Sequence, residues 1–71
     1  MSMSIYEYWL GMKLKKIVNL GFTRVTVTFD GTTWEIAAMT RGQVYGLGVD
    51  TRLRKLLREA TEAAERIAAQ A

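Results

Sequence analysis

The chain has 71 residues, a net charge of +3 at pH 7 and neither histidine nor cysteine. This length admits one hydrophobic core, so we expect a single domain over residues 1–71 without an enclosed active site. The absence of His and Cys excludes disulfides, imidazole bases, thiolate chemistry and zinc sites with nitrogen or sulfur ligands. Because such a core contributes only about 3–5 kcal/mol to the free energy of unfolding, we expect oligomerisation or a bound partner to add stability.

The hydropathy and the charge limit the kinds of partner. The longest apolar stretches are far shorter than the roughly 20 residues that cross a bilayer, and no basic segment followed by an apolar run opens the chain. We therefore expect a cytoplasmic protein without a membrane partner. The mildly basic charge admits nucleic acid or an acidic protein as partner and requires neither.

A first helix is predicted over about residues 5–19. The spacing of Ser4 and Glu7 is that of a capping box, in which the Ser4 hydroxyl accepts from the Glu7 amide. Apolar residues then recur at three-and-four spacing, as on the buried stripe of an amphipathic helix. These residues are Tyr6, Trp9, Leu10, Leu14, Ile17 and Val18.

Three antiparallel strands are predicted next, over about residues 22–29, 32–40 and 43–49. From Phe22 onward apolar residues alternate with polar ones and β-branched side chains dominate, which is typical of strands that bury one face. We expect helices to cover the apolar face of this sheet. The residues predicted to be covered are Val25, Val27, Phe29, Trp34, Ile36, Tyr45, Leu47 and Val49.

Two tight turns are predicted to set the strand register. Asp30-Gly31 is a strong signal for a two-residue hairpin turn with positive φ, and it would place Val27 opposite Trp34. A second turn at Arg41-Gly42 would place Trp34 opposite Val49. Both turns put the apolar residues of the three strands on one face, with Trp34 at the centre of the core.

A second helix is predicted over about residues 51–68. Asp50, with Thr51 following, is positioned to cap its start. Its apolar residues again form one stripe. They are Leu53, Leu56, Leu57, Ala60, Ala63, Ala64 and Ile67. The predicted fold class is α+β, a three-stranded antiparallel meander between two helices that pack on one face of the sheet.

Catalytic residues are not evident in this sequence. Each carboxylate has a structural interpretation, at the hairpin turn, at a helix cap or on the solvated side of the second helix. No base is present to activate the serines and threonines, and Gly46-Leu47-Gly48 is too short for a phosphate-cradling loop. We therefore expect no enzyme, no cofactor, no metal and no small-molecule substrate.

The first of three candidate binding surfaces is a basic cluster at the start of the second helix. It consists of Arg52, Arg54, Lys55 and Arg58. These charges crowd the helix end whose amides are already partly positive, so they are placed for an anion such as a phosphate or a carboxylate. The alternative is a solvated face. On such a face, two ion pairs at i,i+4 spacing would compensate part of the positive charge. These pairs are Lys55 with Glu59 and Arg58 with Glu62.

The second candidate is the open sheet face, the side of the sheet that no predicted helix covers. Its candidate binding residues are Arg24, Glu35, Ala37, Met39, Val44, Gly46 and Gly48. One end of this face is flat and apolar, which suits close packing by another protein surface. The alternative is a solvated face, as antiparallel sheets often have. A homodimer through this face is a further hypothesis.

The third candidate is the helix-one flank, formed by Ile5, Tyr8 and Met12. These residues lie beside the main stripe and widen the apolar arc beyond what one sheet face needs. Aromatic and methionine side chains suit a protein interface. The alternative is apolar surface that a small domain leaves exposed or packs against its second helix.

In the order of its elements the chain resembles the double-stranded RNA-binding domain. Gly46-Leu47-Gly48 running into a basic helix start is similar to the third strand and second helix of that family. The resemblance implies that Arg52, Arg54 and Lys55 correspond to its lysine-rich helix start and contact RNA. Asp30-Gly31 stands where the family has a long, His-containing loop, so no loop is present to enter a second minor groove. Nucleic-acid binding is therefore the alternative function.

In length, composition and compactness the whole chain also resembles small proteins of bacteriophages and mobile elements, including anti-CRISPR and other anti-defence proteins. This resemblance rests on no motif and assigns no residues. It implies a non-catalytic inhibitor or adaptor that docks on a host complex. We expect a protein partner, either a host complex or a second copy, because exposed apolar surface on two elements suits a protein better than a phosphate backbone.

Overall fold

The computed structural model describes the backbone of residues 5–70 and the side chains of residues 11–70. The elements are α1 (Ile5–Asn19), β1 (Thr23–Phe29), β2 (Trp34–Thr40), β3 (Gln43–Asp50) and α2 (Leu53–Ala69). The strands form one antiparallel sheet in the order β1-β2-β3. The predicted α+β fold class and its order of elements are confirmed. Neither of the described helices is long and apolar enough to cross a membrane.

Both helices pack on one face of the sheet around a shared core. Its fully buried large side chains are Ile17 of α1, Phe22, Ile36 of β2 and Leu56 of α2. Phe22 was missed as a core residue because it was interpreted only as the start of a strand. It lies in the link between α1 and β1, and its ring meets the ring of Tyr45 edge-on at a centroid distance of 6.4 Å.

The predicted stripe of α2 is confirmed. Five of its residues are buried, and two pack partly buried against the core. The buried ones are Leu53, Leu56, Leu57, Ala60 and Ala64, and the partly buried ones are Ala63 and Ile67. In α1, Ile17 and Leu14 contact the core as predicted. Val18 does not belong to this stripe, since 49% of it is exposed.

Several predictions for the N-terminal part concern atoms that are not described. The capping box at Ser4 lies outside the described residues. The same holds for the side chains of Ile5, Tyr6, Tyr8, Trp9 and Leu10.

The first hairpin, between β1 and β2, differs from the predicted register by two residues. Val27 lies opposite Ile36 instead of Trp34, and Phe29 lies opposite Trp34. A shift of two residues leaves every side chain on its predicted face, because strand side chains alternate with a period of two. The predicted pairing was therefore wrong, although Val27 still packs against the core.

The Asp30 carboxylate accounts for this shift. Its Oδ1 accepts the backbone amides of Thr32 and Thr33 at 2.9 and 2.8 Å, and its Oδ2 accepts the Thr33 hydroxyl at 3.1 Å. The Asp30 amide donates to the Thr33 carbonyl at 3.2 Å. The hairpin tip is therefore Gly31-Thr32 instead of Asp30-Gly31. Gly31 has a φ of 100°, positive as predicted, in a region that favours glycine.

The second hairpin has the predicted turn but an unpredicted β-bulge. Arg41 and Gly42 take φ values of 52° and 77°, as a tight turn with two left-handed residues requires. The predicted register continues as far as Ala37 and Gly46. Leu47 is then an extra residue in β3, and the pairing beyond it shifts by one.

This bulge exchanges the faces of the two residues that follow Leu47. Gly48 lies opposite Ile36 and faces α2, where an added Cβ would lie 2.8 Å from Leu56 Cδ1. Val49 is 58% exposed. A one-residue shift moves each side chain to the other side of the sheet. The predictions that placed Gly48 on the open sheet face and Val49 in the core were therefore wrong.

Trp34 lies at the end of the sheet and not at the centre of the core. Its partners are the last residues of the neighbouring strands, Phe29 and Asp50. The rings of Trp34 and Phe29 are 4.6 Å apart between centroids. Trp34 is half-buried and Phe29 is 51% exposed. The predictions that Trp34 is central and that Phe29 is buried were therefore wrong. Both register changes place Trp34 opposite the last residue of a neighbouring strand, at the end of the sheet.

Candidate binding surfaces

The link between β3 and α2 is held by Asp50, although not as a helix cap. α2 begins at Leu53, and Arg52 occupies the N-cap position without a side-chain cap hydrogen bond. Asp50 Oδ1 accepts the Arg52 amide at 2.8 Å, and its Oδ2 lies 3.7 Å from Lys55 Nζ. The predicted cap was wrong because the helix starts two residues later than expected. The Asp50 carboxylate instead holds the link between β3 and α2 in place.

The basic cluster lies where the sequence predicts it. Arg52, Arg54, Lys55 and Arg58 are all exposed, and with Leu53 they line a shallow depression of about 510 Å³. The predicted pair of Lys55 and Glu59 is present at 3.9 Å, so Lys55 lies between two carboxylates. Arg58 makes no ion pair with the described residues, and its predicted pairing with Glu62 is absent. The compensation expected of a solvated face is therefore incomplete.

Packing of the helices adds two residues to this basic surface. Lys13 and Lys16 of α1, with Arg54 and Arg58 of α2, line a groove of about 470 Å³ between the helices, which we call the interhelical groove. The buried Leu57 also lines it. Sequence reasoning missed both lysines. Their i,i+3 spacing places them on one side of a helix, but it does not show which element lies beside that side.

The C-terminal part of the interhelical groove carries the opposite charge. Glu62 and Glu65 line it, while Arg54 and Arg58, the basic residues of α2 that line the groove, lie one to three turns earlier in the helix. Thr61 also lines the groove, and its hydroxyl donates to the Leu57 carbonyl at 2.8 Å. The groove therefore has a basic end and an acidic end. An anion is attracted to the first and repelled by the second.

The open sheet face keeps most of its predicted residues. Ala37 of β2 lies opposite Gly46 of β3, and Met39 lies opposite Val44, as expected from the turn at residues 41–42. Glu35 lies on the same face of β2. Val44 is 69% exposed, whereas Ala37 and Met39 are half-buried. No atom of the described residues lies within 4 Å of a Cβ built on Gly46. One end of this face is therefore apolar and open to close approach.

The bulges change both ends of this face. Val49 joins the open sheet face in place of Gly48, opposite Glu35. Arg24 lies at the irregularity between Thr23 and Thr26 of β1, is exposed and has a φ of 50°. It remains a candidate at the rim of the face.

Two carboxylates make the other end of the open sheet face acidic. A depression of about 270 Å³ is lined there by Asp30, Glu35, Val49 and neighbouring residues of the first hairpin. Within the described chain no three acidic side chains come close enough to hold a metal ion. The two carboxylates give this end of the face a negative charge.

Hydrogen bonds lower the pKa values of the Asp30 and Asp50 carboxyls. The amides of Thr33 and Thr32 donate to Asp30 and hold the pKa of that carboxyl below its ordinary value. The Arg52 amide, with a smaller contribution from Lys55, lowers the pKa of the Asp50 carboxyl. Asp30 stabilises the first hairpin, in agreement with its interpretation as a turn residue, and Asp50 stabilises the link between β3 and α2.

The Asp30 hydrogen bonds predict how stability depends on pH. A carboxyl whose pKa is lowered by folding stabilises the native state fully above its unfolded pKa of about 4, and this contribution is lost as the pH falls through the folded pKa. We expect Asp30→Asn to lower the melting temperature at neutral pH and to approach the wild type in strong acid. Thermal unfolding followed by circular dichroism over this pH range measures both effects. Glu35→Gln, which removes an exposed carboxylate, is the control. An Asp30→Asn protein whose melting temperature differs from the wild type equally at every pH would contradict the assignment.

The helix-one flank is only partly described. Met12 is exposed, as its candidate role requires. The side chains of Ile5 and Tyr8 lie outside the described part of the chain. The combined surface remains a prediction.

Comparison with known proteins assigns no family. No protein-family model matches the chain, and neither a curated protein nor a solved structure matches it. The resemblances to the double-stranded RNA-binding domain and to anti-defence proteins stay hypotheses.

Proposed function

We propose that this protein is a non-catalytic binding protein that docks on a partner protein through its open sheet face. The observation that carries this proposal is the exposure of Val44 and Val49, at 69% and 58%, on the side of the sheet away from both helices. Met39 and Ala37 continue the apolar surface on the neighbouring strand. Burying apolar surface contributes roughly 25 cal/mol per Å², so a partner that covers these residues gains binding energy.

The shape of this face suits a flat protein surface. Gly46 has no side chain, and the space above it is open. A partner backbone or a large side chain therefore reaches the sheet closely between Val44 and Val49. Exposed apolar patches with a polar rim are typical of protein interaction sites.

The acidic end of the face defines the chemistry of the partner. Glu35 and Asp30 lie beside Val49 around one depression. A partner that offers an apolar patch flanked by lysine or arginine is complementary in charge to this arrangement. A host protein complex, blocked by occupation of its surface, is the partner class that the resemblance to anti-defence proteins implies.

Charge favours a different protein over a second copy. Glu35 belongs to the middle strand, so a homodimer centred on this face would bring two Glu35 carboxylates into one interface. Like charges opposed across an interface are costly to association. The same carboxylate is favourable opposite a basic residue of another protein.

Matched valine substitutions test this proposal. We expect Val44→Glu and Val49→Glu each to fold normally and to lose at least about 100-fold in affinity for the partner, as central interface residues do. Val18→Glu is the control, because Val18 is also an exposed valine but lies on α1. The partner is captured from a nuclease-treated host lysate, identified by mass spectrometry and then titrated in purified form against each variant.

Two results would contradict docking of a different protein through this face. Equal partner affinities for Val44→Glu, Val49→Glu and Val18→Glu would remove the open sheet face from the interface. A wild-type dimer in light scattering that Val44→Glu converts to a monomer would assign the face to self-association.

A further inference from the structure

We propose that the interhelical groove binds the phosphate backbone of a nucleic acid. The groove lies on the helix-covered side of the sheet, away from the open sheet face. This inference therefore goes beyond the proposed docking on a protein, and the two surfaces do not compete for the same residues.

Charge concentration is the first reason. Lys13, Lys16, Arg54 and Arg58 line the groove, and Arg52 and Lys55 extend the basic surface past Arg54 and Arg58. These are six of the ten lysines and arginines in the chain. A basic stripe that crosses two elements is the electrostatic footprint of a surface that binds nucleic acid.

Incomplete neutralisation is the second reason. Lys55 lies near two carboxylates, but Lys13, Lys16 and Arg58 make no ion pair with the described residues. α2 also has no acidic residue in its first turn and no side-chain cap. Its first backbone amides therefore add donors for an anion to the side-chain charges.

The lining favours nucleic acid over an acidic protein. Among the described residues that line the groove, Leu57 is the one large apolar side chain, and it is buried. Protein interfaces have an apolar core surrounded by a polar rim, which the described lining of this groove does not offer. Contacts to a phosphate backbone require only positioned cations and amides.

Glu62 and Glu65 define how far the bound backbone extends. Their carboxylates repel phosphates from the C-terminal part of the groove. The backbone is therefore bound across the basic end, between Lys13 and Lys16 on one side and Arg54 and Arg58 on the other. Replacing the two glutamates should lengthen the stretch of nucleic-acid backbone that the groove binds.

Salt-dependent binding to defined oligonucleotides tests the proposal. The probes are fluorescent single-stranded and duplex forms of DNA and RNA, measured by anisotropy in increasing salt. Three phosphate contacts on a duplex, from Lys13, Lys16 and Arg58, predict a slope of log K against log salt of roughly −3. The four probes separate DNA from RNA and single strands from duplexes as the source of the phosphate backbone.

Charge-neutral variants locate the contacts. We expect Lys13→Gln/Lys16→Gln to reduce the magnitude of the duplex slope by about 2, and Arg58→Gln by about 1. Lys15→Gln is the matched control, because Lys15 is an exposed lysine of α1 that does not line the groove. It should leave the slope unchanged. Glu62→Gln/Glu65→Gln should raise the affinity several-fold, and thermal unfolding verifies that each variant is folded.

The outcomes distinguish this proposal from protein docking. Failure of all four probes to bind at low salt would overturn it, as would equal effects of Lys15→Gln and Lys13→Gln/Lys16→Gln. Val44→Glu should bind the oligonucleotides like the wild type. Two observations together would reassign the groove to a protein. An acidic protein would have to bind without displacing any oligonucleotide, and its affinity would have to fall only in Lys13→Gln/Lys16→Gln.

Discussion

Phe22→Ala should unfold the domain or leave it barely folded, with an expected loss of about 3–5 kcal/mol. Phe22 is 1% exposed and contacts the core between α1 and the sheet, with its ring against Tyr45. A chain of this length has a total stability of roughly 4–10 kcal/mol, so one such cavity removes a large part of it. Urea unfolding followed by circular dichroism measures the loss.

Trp34→Ala provides the comparison for this prediction. Trp34 is larger than Phe22, but it lies half-buried at the end of the sheet. We expect its free-energy loss to be less than half that of Phe22→Ala. The opposite order would mean that Trp34 occupies the centre of the core and that the observed register is wrong. Where Phe22→Ala is too unstable to measure, Phe22→Leu is compared with Trp34→Leu, so that both positions receive the same residue.

Gly48→Ala should destabilise the protein by about 1–3 kcal/mol, although it adds only one methyl group. The new Cβ would lie 2.8 Å from Leu56 Cδ1. Leu56 is fully buried in the core, so its side chain has no free space into which it could move. The clash therefore forces either α2 or β3 to shift. Thermal and urea unfolding of the variant measure the effect.

Gly46→Ala is the matched control on the same strand. A Cβ at Gly46 meets no atom within 4 Å in the described part of the chain, so this variant should be as stable as the wild type or slightly more stable. In the double variant Gly48→Ala/Leu56→Ala, the loss should be smaller than the sum of the single losses, because the clashing atom is gone. Equal stability of Gly48→Ala and Gly46→Ala would contradict the bulge at Leu47.

The local features of this protein were determined by its sequence. The stripe of α2 and the turn at Arg41-Gly42 depend on residues within a few positions of each other, and both agree with the structure. The same local periodicity located the basic cluster and most of the open sheet face, because it reports which side of an element is apolar. The proposed docking surface was therefore largely predictable.

The strand register depended on interactions that periodicity does not report. The Asp30 carboxylate accepts hydrogen bonds from the amides of Thr32 and Thr33, and this moves the tip of the first hairpin by one residue. Such side-chain hydrogen bonds compete with the standard turn. The bulge at Leu47 similarly turns Gly48 toward Leu56, the one place on β3 where a missing side chain lets α2 approach closely.

Only the tertiary structure assembled the interhelical groove. Lys13 and Lys16 belong to α1 and Arg58 belongs to α2, and the whole sheet separates them along the chain. Their common surface exists because both helices pack side by side on the same face of the sheet. Hydrophobic periodicity shows that each helix has one buried side, and it leaves open which charged residues meet at the edges of that side. Those edges are set by the helix packing, which depends on how the buried side chains of both helices fit together.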